Sequence, residues 1–180
     1  MNQPRASVTD DVQVSYRIFT VEDAETGLVD DPPSGDWYPT QRLTARGGIV
    51  YIRSTGHTHL PLVSMQSWDH EPLPENPGAW DACGEIEFVC RTGAVVLSNR
   101  MHDSRSQPLD LGSGPMAYHL RAHSRGHDRM RAVEDGDFDE DDEDALTHIE
   151  HYLLQIWPSR PLSADALEPF RLGRSRCIIR

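Results

Sequence analysis

Nine histidines stand in this chain, and three groups of them have spacing that suits metal ligation: His57-x-His59, the set His119, His123 and His127, and His148-x-x-His151. Zinc takes three or four ligands in a tetrahedral shell, and imidazole nitrogen is a common donor. Side chains two or four residues apart share a face of a strand. His57 and His59 could therefore converge, as could His119 and His123, whereas His148 and His151 would point opposite ways. His57 and His59 are the candidate histidine ligands. The second group reads more simply as the solvent face of one strand. Arg121 and Arg125 alternate with its histidines and make that face cationic rather than ligating.

A second chemistry lies in the acidic run Glu134 to Asp144, which holds nine carboxylates. Asp135, Asp137 and Asp139 reproduce the D-x-D-x-D opening of a calcium loop. However, Glu140 stands where an EF-hand needs glycine, and Leu146 where it needs the bidentate glutamate. A frame starting at Asp139 recovers Glu150 at the last position but places Asp144 on the glycine. The sharp reading is a loose, charge-driven divalent-cation site at Asp135, Asp137 and Asp139. The plain one is a solvated loop of mutually repelling charges. No other cofactor is indicated.

Other catalytic chemistry finds little footing. All 17 basic residues are arginine, which excludes Schiff-base lysines, lysine general bases and a P-loop lysine. There is no G-x-S-x-G elbow, and no flanking pattern marks Cys83 or Cys90 as a nucleophile. Cys90 falls on an apolar parity, as an inert core thiol would. Glu85 and Glu87 share a strand face and could pair for acid/base work, but two outward carboxylates are usually just solvated. Arg46-Gly47-Gly48 is too short for a phosphate loop. The balance leans against an enzyme.

Several short alternating segments must position these residues. Apolar and polar residues alternate in Val12 to Ile18, Glu85 to Cys90 and Ala117 to His123, Gly48 to Arg53 is an apolar β-branched run, and Leu62 to Trp68, Ala94 to Leu97 and Ile149 to Trp157 read as further strands. Glu85–Cys90 and Ala94–Leu97, joined at Thr92-Gly93, read as a hairpin. Pro158 reads as the stop of the last strand. Proline- and glycine-rich stretches separate these segments, notably Asp30 to Asp36, Glu71 to Gly78 and Leu111 to Pro115. Such short strands without alternating long helices predict an all-β fold: an antiparallel β-sandwich or jelly-roll-like barrel. At most one short C-terminal helix is expected, over Ala164 to Phe170 and capped by Ser163. The expected organisation is a flexible tail over 1–11, a sandwich domain over 12–158 with an acidic loop insert at 133–146, and a C-terminal extension over 159–180.

Composition bounds the setting. A chain of 180 residues, 37% hydrophobic, suits one domain with long polar loops. The formal charge is −12, of which nine charges sit in the acidic run, so the body carries −3. Direct nucleic-acid binding is disfavoured without a basic footprint. No run approaches the ~20 apolar residues of a membrane span. The polar N-terminus lacks an apolar signal core, and three cysteines without C-x-x-C spacing suit a reducing compartment, so a cytoplasmic location is expected.

Longer segments carry a resemblance. Gly48-Ile-Val-Tyr-Ile-Arg-Ser-Thr-Gly-His57, Ser67-Trp-Asp-His-Glu-Pro72, Trp80-Asp81 with Gly84-Glu-Ile-Glu87, Gly114 to Asp128 and His151-Tyr-Leu-Leu-Gln-Ile-Trp-Pro158 resemble an uncharacterised family of actinobacterial proteins. More distantly, Val14-Ser-Tyr-Arg-Ile-Phe-Thr-Val-Glu-Asp23 and the Gly-x-Tyr-x-Leu strand are similar to the competence protein J family. That resemblance implies a small β-sandwich and a role of the nuclease-inhibitor kind. The acidic insert and the added tail depart from it, and no inhibitor-specific motif carries over.

The expected function is a non-enzymatic protein-interaction module, of inhibitor or immunity type, with another protein as partner. Its candidate contact residues are Arg121, His123, Arg125 and Arg129, beside the acidic run, together with Trp68 and Asp69 in a loop. Two alternatives stay open. One is a metal-dependent small-molecule enzyme using histidine ligands in a sandwich. The other is a nucleic-acid mimic acting through the acidic loop. Trp37, Trp68, Trp80 and Trp157 are candidates for a ligand mouth or for core, with core favoured for Trp157.

Overall fold

Period-two alternation resolves into eleven strands in a computed structural model, which describes residues 3–25, 41–46, 48–99, 104–136 and 146–162. One five-stranded sheet has the order β1 (Ala6–Asp11), β5 (Leu60–Ser67), β11 (Thr147–Pro161), β10 (Met116–Arg125) and β6 (Ala82–Cys90). The second has the order β3 (Leu43–Arg46), β4 (Ile49–Arg53), β2 (Ile18–Asp23), β7 (Ala94–Asn99) and β8 (Ser104–Arg105), with β9 (Leu109–Asp110) also on β7. Pairing is antiparallel except between β5 and β11, which run parallel. The inner faces meet in one core. Met65, Phe88, Tyr118, Leu120, Leu154 and Ile156 come from the first sheet, and Phe19, Val21, Val50, Ile52, Val95 and Leu97 from the second. The chain is the all-β sandwich that its patterning predicts. Among the described residues, no helix is long and apolar enough to cross a membrane.

Four local expectations change. Residues 6–11 are not a loose tail: Ala6 and Val8 point inward and the segment pairs along β5. Val12–Ile18 is not one strand. Val12 and Val14 plug the core, the chain then turns at Tyr16 and Arg17, and the next strand starts at Ile18. β11 runs through Pro158 to Pro161, with a register irregularity at Ala117/Tyr118 on its neighbour.

The Glu85–Leu97 segment is not a hairpin either, because β6 and β7 lie in different sheets. The carboxylate of Asp23 accepts from the Arg91 and Thr92 amides and from the Thr92 hydroxyl, holding the corner that carries the chain across. Gly93 is required there: its φ is 77°, and a Cβ would lie 2.1 Å from the Ser113 carbonyl oxygen.

Sequence patterning also misses a helix, α1 (His127–Glu134), directly after β10. His127, Met130 and Val133 recur at helical spacing and are buried, the last two packing on Ile149. The Asp81 carboxylate, reaching from another loop, accepts from the Gly126 and His127 amides at its start. The helix expected at Ala164–Phe170 lies outside the described residues.

Candidate functional site

At one end of the second sheet three strands bring arginines side by side. Arg53 closes β4. Its amide donates to the carbonyl of Arg42, just before β3, so the two residues stand opposite each other in register. The Ser54 amide donates to the carbonyl of Arg17, just before β2. Arg17 and Tyr16 form a two-residue turn bounded by reciprocal Ser15–Ile18 backbone bonds, with φ of 65° and 52°. Such turns favour glycine or asparagine, so two larger side chains here store strain. Helix α1 adds Arg131 and Glu134. These residues with Ser54 and Thr55 line a cavity of about 330 Å³.

Beneath the cavity lies a sealed polar knot. Glu150, on β11, is fully buried. Its Oε2 accepts from Ser54 Oγ and, at 3.1 Å, from Tyr152 OH; its Oε1 accepts from the Thr55 amide at 3.2 Å. His59 Nε2 lies 3.1 Å from Oε2, and His127 Nε2 lies 3.7 Å from Oε1. Burial pushes the Glu150 pKa up, but the bonds from His59, Ser54 and Thr55 outweigh it and bring it down to about 2. Burial lowers the His127 pKa, with Glu150 opposing and Arg42 assisting. Arg42 Nη1 approaches His127 Nδ1 at 3.5 Å, and because a guanidinium only donates, Nδ1 is the acceptor and Nε2 carries the hydrogen toward Glu150. Gly56 makes room: a Cβ there would fall 2.7 Å from His59 Cδ2 and 2.8 Å from Met130 Cε.

This knot is not a serine nucleophile. In a triad the imidazole spans serine and acid through its two different nitrogens. Here one nitrogen, Nε2, faces both Ser54 Oγ, at 2.7 Å, and Glu150. The serine hydrogen goes directly to the carboxylate, and Nδ1 is buried without a partner. The knot ties β4, β11 and α1 together and fixes the cavity floor.

The outer face of the first sheet carries a different construction. Arg121 is neutralised within the fold. It donates to Glu71, to Glu85 at 3.2 Å and to the Pro72 carbonyl at 3.2 Å, and lies 4.8 Å over the Trp157 ring. His119 stacks on the same indole at 5.4 Å. Gln155 reaches Glu75, Trp80 packs on His123 at 5.6 Å, and Arg125 lies 5.3 Å over Trp80. These contacts pin the segment Trp68–Asp81, with its three prolines and one short 3₁₀ turn at Pro77–Ala79, along the sheet. Leu73 stands on that segment 70% exposed.

The structure joins some of the residues singled out in the sequence and parts others. Arg121, His123 and Arg125 meet the Trp68 loop. The solvent face expected there is corrected, however: that loop covers Arg121 and His123, which are buried. Trp157 is buried as expected, but under the outer-face arginine rather than in the central core. Asp69 is exposed, 3.7 Å from Arg5, and Arg129 is exposed on α1. His57 and His59 diverge, His57 meeting the Tyr16 ring and His59 the knot. Asp135 caps the end of α1, whereas Asp137, Asp139, Trp37 and Cys177 lie outside the described residues. Among the described residues no three His, Cys, Asp or Glu side chains are grouped to hold a metal ion. Cys90 is buried as its parity predicts, and burial followed by the nearby Asp23 charge pushes its thiol up to about 11. Sequence reading missed Arg17, Arg42, Arg53, Ser54 and Leu73, and considered Glu150 only as a calcium ligand.

No family model and no curated protein matches this chain. Among solved structures it is similar to ComJ, inhibitor of the DNA-degrading activity of NucA, from Bacillus subtilis. Identity is 14%, with 86% of this chain and 98% of that chain covered at a TM-score of 0.56. It is also similar to the crocagin biosynthetic gene J protein, with 12% identity, 86% and 99% coverage and a TM-score of 0.51. The distant resemblance to competence protein J thus extends to the whole fold.

Proposed function

We propose that this chain is a non-enzymatic protein-interaction module of inhibitor or immunity type, and that the pinned segment Trp68–Asp81 is its contact surface. The observation that carries this reading is Leu73. A large apolar side chain, 70% exposed between Pro72 and Pro74, sits on backbone already immobilised by Arg121, Gln155 and His123. A segment ordered before binding loses little entropy on association, so its exposed anchor contributes more to affinity. Asp69 and Glu75 lie on the same segment and supply carboxylates suited to steering a basic partner. The fold shared with ComJ, an inhibitor of a nuclease, supports the class of activity.

The test is capture with the immobilised full chain, followed by measurement of affinity for the recovered protein and of its activity on titration. Leu73→Asp is expected to weaken binding about tenfold or more, as loss of an interface anchor does, without changing the melting temperature. Equal binding by Leu73→Asp would remove the loop from the account. Failure to retain a stoichiometric partner at any salt concentration would count against the module itself.

A further inference from the structure

We infer that this chain associates with a second copy of itself through the outer edge of β1, the two strands running antiparallel about a two-fold axis at Val8. This surface stands apart from the Leu73 loop, and neither reading depends on the other.

The edge of a sheet presents amides and carbonyls that invite another strand, and proteins usually shorten, interrupt or cover it. Among the described strands, three of the four sheet edges are treated in that way. β6 and β3 end their sheets on the same side of the sandwich and stand against each other, with Leu43 Cδ1 3.1 Å from where a Cβ on Gly84 would lie. The opposite edge of the second sheet is broken into β8 and β9, two residues each, with Pro108 between them. β1 is different. It is six residues long, pairs with β5 without a register shift and contains no proline. Among the described residues β5 is its neighbour within the sheet, and β9 packs against β1 and β5 alike from the second sheet.

The order of charges along β1 names the occupant. Arg5 precedes the strand, and Asp10 and Asp11 end it. Ala6 and Val8 pack inward, whereas Ser7 and Thr9 are exposed, Thr9 meeting Ser64 on the outer face at 2.9 Å. Two copies keep their faces together only in registers that pair positions of equal parity. Centred on Ser7, such a register brings Pro4, which has no amide hydrogen, opposite Asp10. Centred on Thr9, it sets the Asp10 carboxylate against Val8. Centred on Val8, it joins Val8 to Val8 beside the core, Ser7 to Thr9, and Arg5 to Asp11 on both sides of the axis. The strand is then complementary to itself, as a two-fold contact requires, and opposite charges stand directly across from each other, where they stabilise a sheet. Within one chain Arg5 lies 3.7 Å from Asp69 and 3.8 Å from Asp110, and Asp11 lies 2.5 Å from His148. All of these side chains are exposed, so their pairs contribute little to the fold and leave room for partners from a second chain.

The test is sedimentation equilibrium of the full chain over about 10 µM to about 1 mM, the range of a small interface, in about 0.15 M salt to screen repulsion between chains. Each chain carries a formal charge of −12. The mass should rise with concentration from one chain toward two and stop there, because a two-fold contact closes. Arg5→Asp and Asp11→Arg each put like charges opposite each other and should each weaken association about tenfold or more. An equimolar mixture of the two variants should regain it, because every acid of one variant then faces an arginine of the other. That recovery arises only between chains, so it separates pairing from any effect on folding. Leu73→Asp should leave association unchanged. A mass of one chain throughout, growth beyond two chains, no recovery in the mixture, or loss of association in Leu73→Asp would overturn the proposal.

Discussion

Two arginine-rich regions of this protein use the same side chain in opposite ways. On the outer face of the first sheet, Arg121 is buried under its own loop, with Glu71, Glu85, the Pro72 carbonyl and the Trp157 ring as partners. At the end of the second sheet, Arg17, Arg42, Arg53 and Arg131 face a cavity lined by one described carboxylate. The first region converts charge into rigidity and leaves an apolar anchor, Leu73, to meet a partner. The second gathers its arginines around a cavity. Counting arginines along the chain would not separate them. What separates them is where the fold places them, one beneath a loop of the same chain and the others around a cavity.

The largest expected effect lies under the cavity. Glu150→Ala removes the acceptor of Ser54, Thr55 and Tyr152 and leaves His59 with Ser54 alone in a sealed site. Breaking a buried pair in this way costs about 3–5 kcal/mol, to be read from urea unfolding. A loss confined to well under 1 kcal/mol would mean that the knot does not hold the floor.

Acid unfolding should proceed in two stages. Burial lowers the proton affinity of His123 and of His127. Below their ordinary pKa of 6.5 the unfolded chain takes up protons that the folded one does not, so stability falls as pH drops from 6.5 toward the lowered folded values. For Glu150, folded at about 2 against 4.5 unfolded, stability is present above 4.5 and is lost as pH falls toward 2. Glu150→Gln should flatten the lower stage and leave the upper one. Urea midpoints measured against pH distinguish the two, and an unchanged lower stage would assign acid sensitivity elsewhere.

The smallest stability effect should be at Leu73. Leu73→Asp replaces a side chain that is 70% exposed and should change unfolding free energy by less than about 0.5 kcal/mol. A larger loss would show that Leu73 packs within the fold, and would weaken the contrast between the two regions.

Much of the sandwich was legible because inward parity is a local signal. Ile86, Phe88 and Cys90, or Tyr118, Leu120 and Ala122, announce their faces within a few residues. Long-range assignments were not legible. Thr92-Gly93 looks like a hairpin turn, and only Asp23, far away in sequence, makes it a corner between sheets. The alternation from His119 to His123 looks solvent-facing because its cover, the proline loop, arrives from another part of the chain. Helix α1 is brief, and its cap comes from Asp81, so the local sequence carries little of its signal. The cavity was least visible. Arg17, Arg42, Arg53 and Arg131 are unremarkable singly, and strand register alone brings three of them together.

The contrast between the two regions is tested most directly by urea unfolding of Arg121→Met and Arg42→Gln side by side, in buffer free of phosphate. Arg121→Met should lose about 2 kcal/mol, because it leaves Glu85 and the Pro72 carbonyl without their donor. Arg42→Gln should stay within about 0.5 kcal/mol of the parent, because it gives up only a 3.5 Å contact to His127 beside a cavity. Equal losses in the two variants would contradict the account, since both arginines would then be structural.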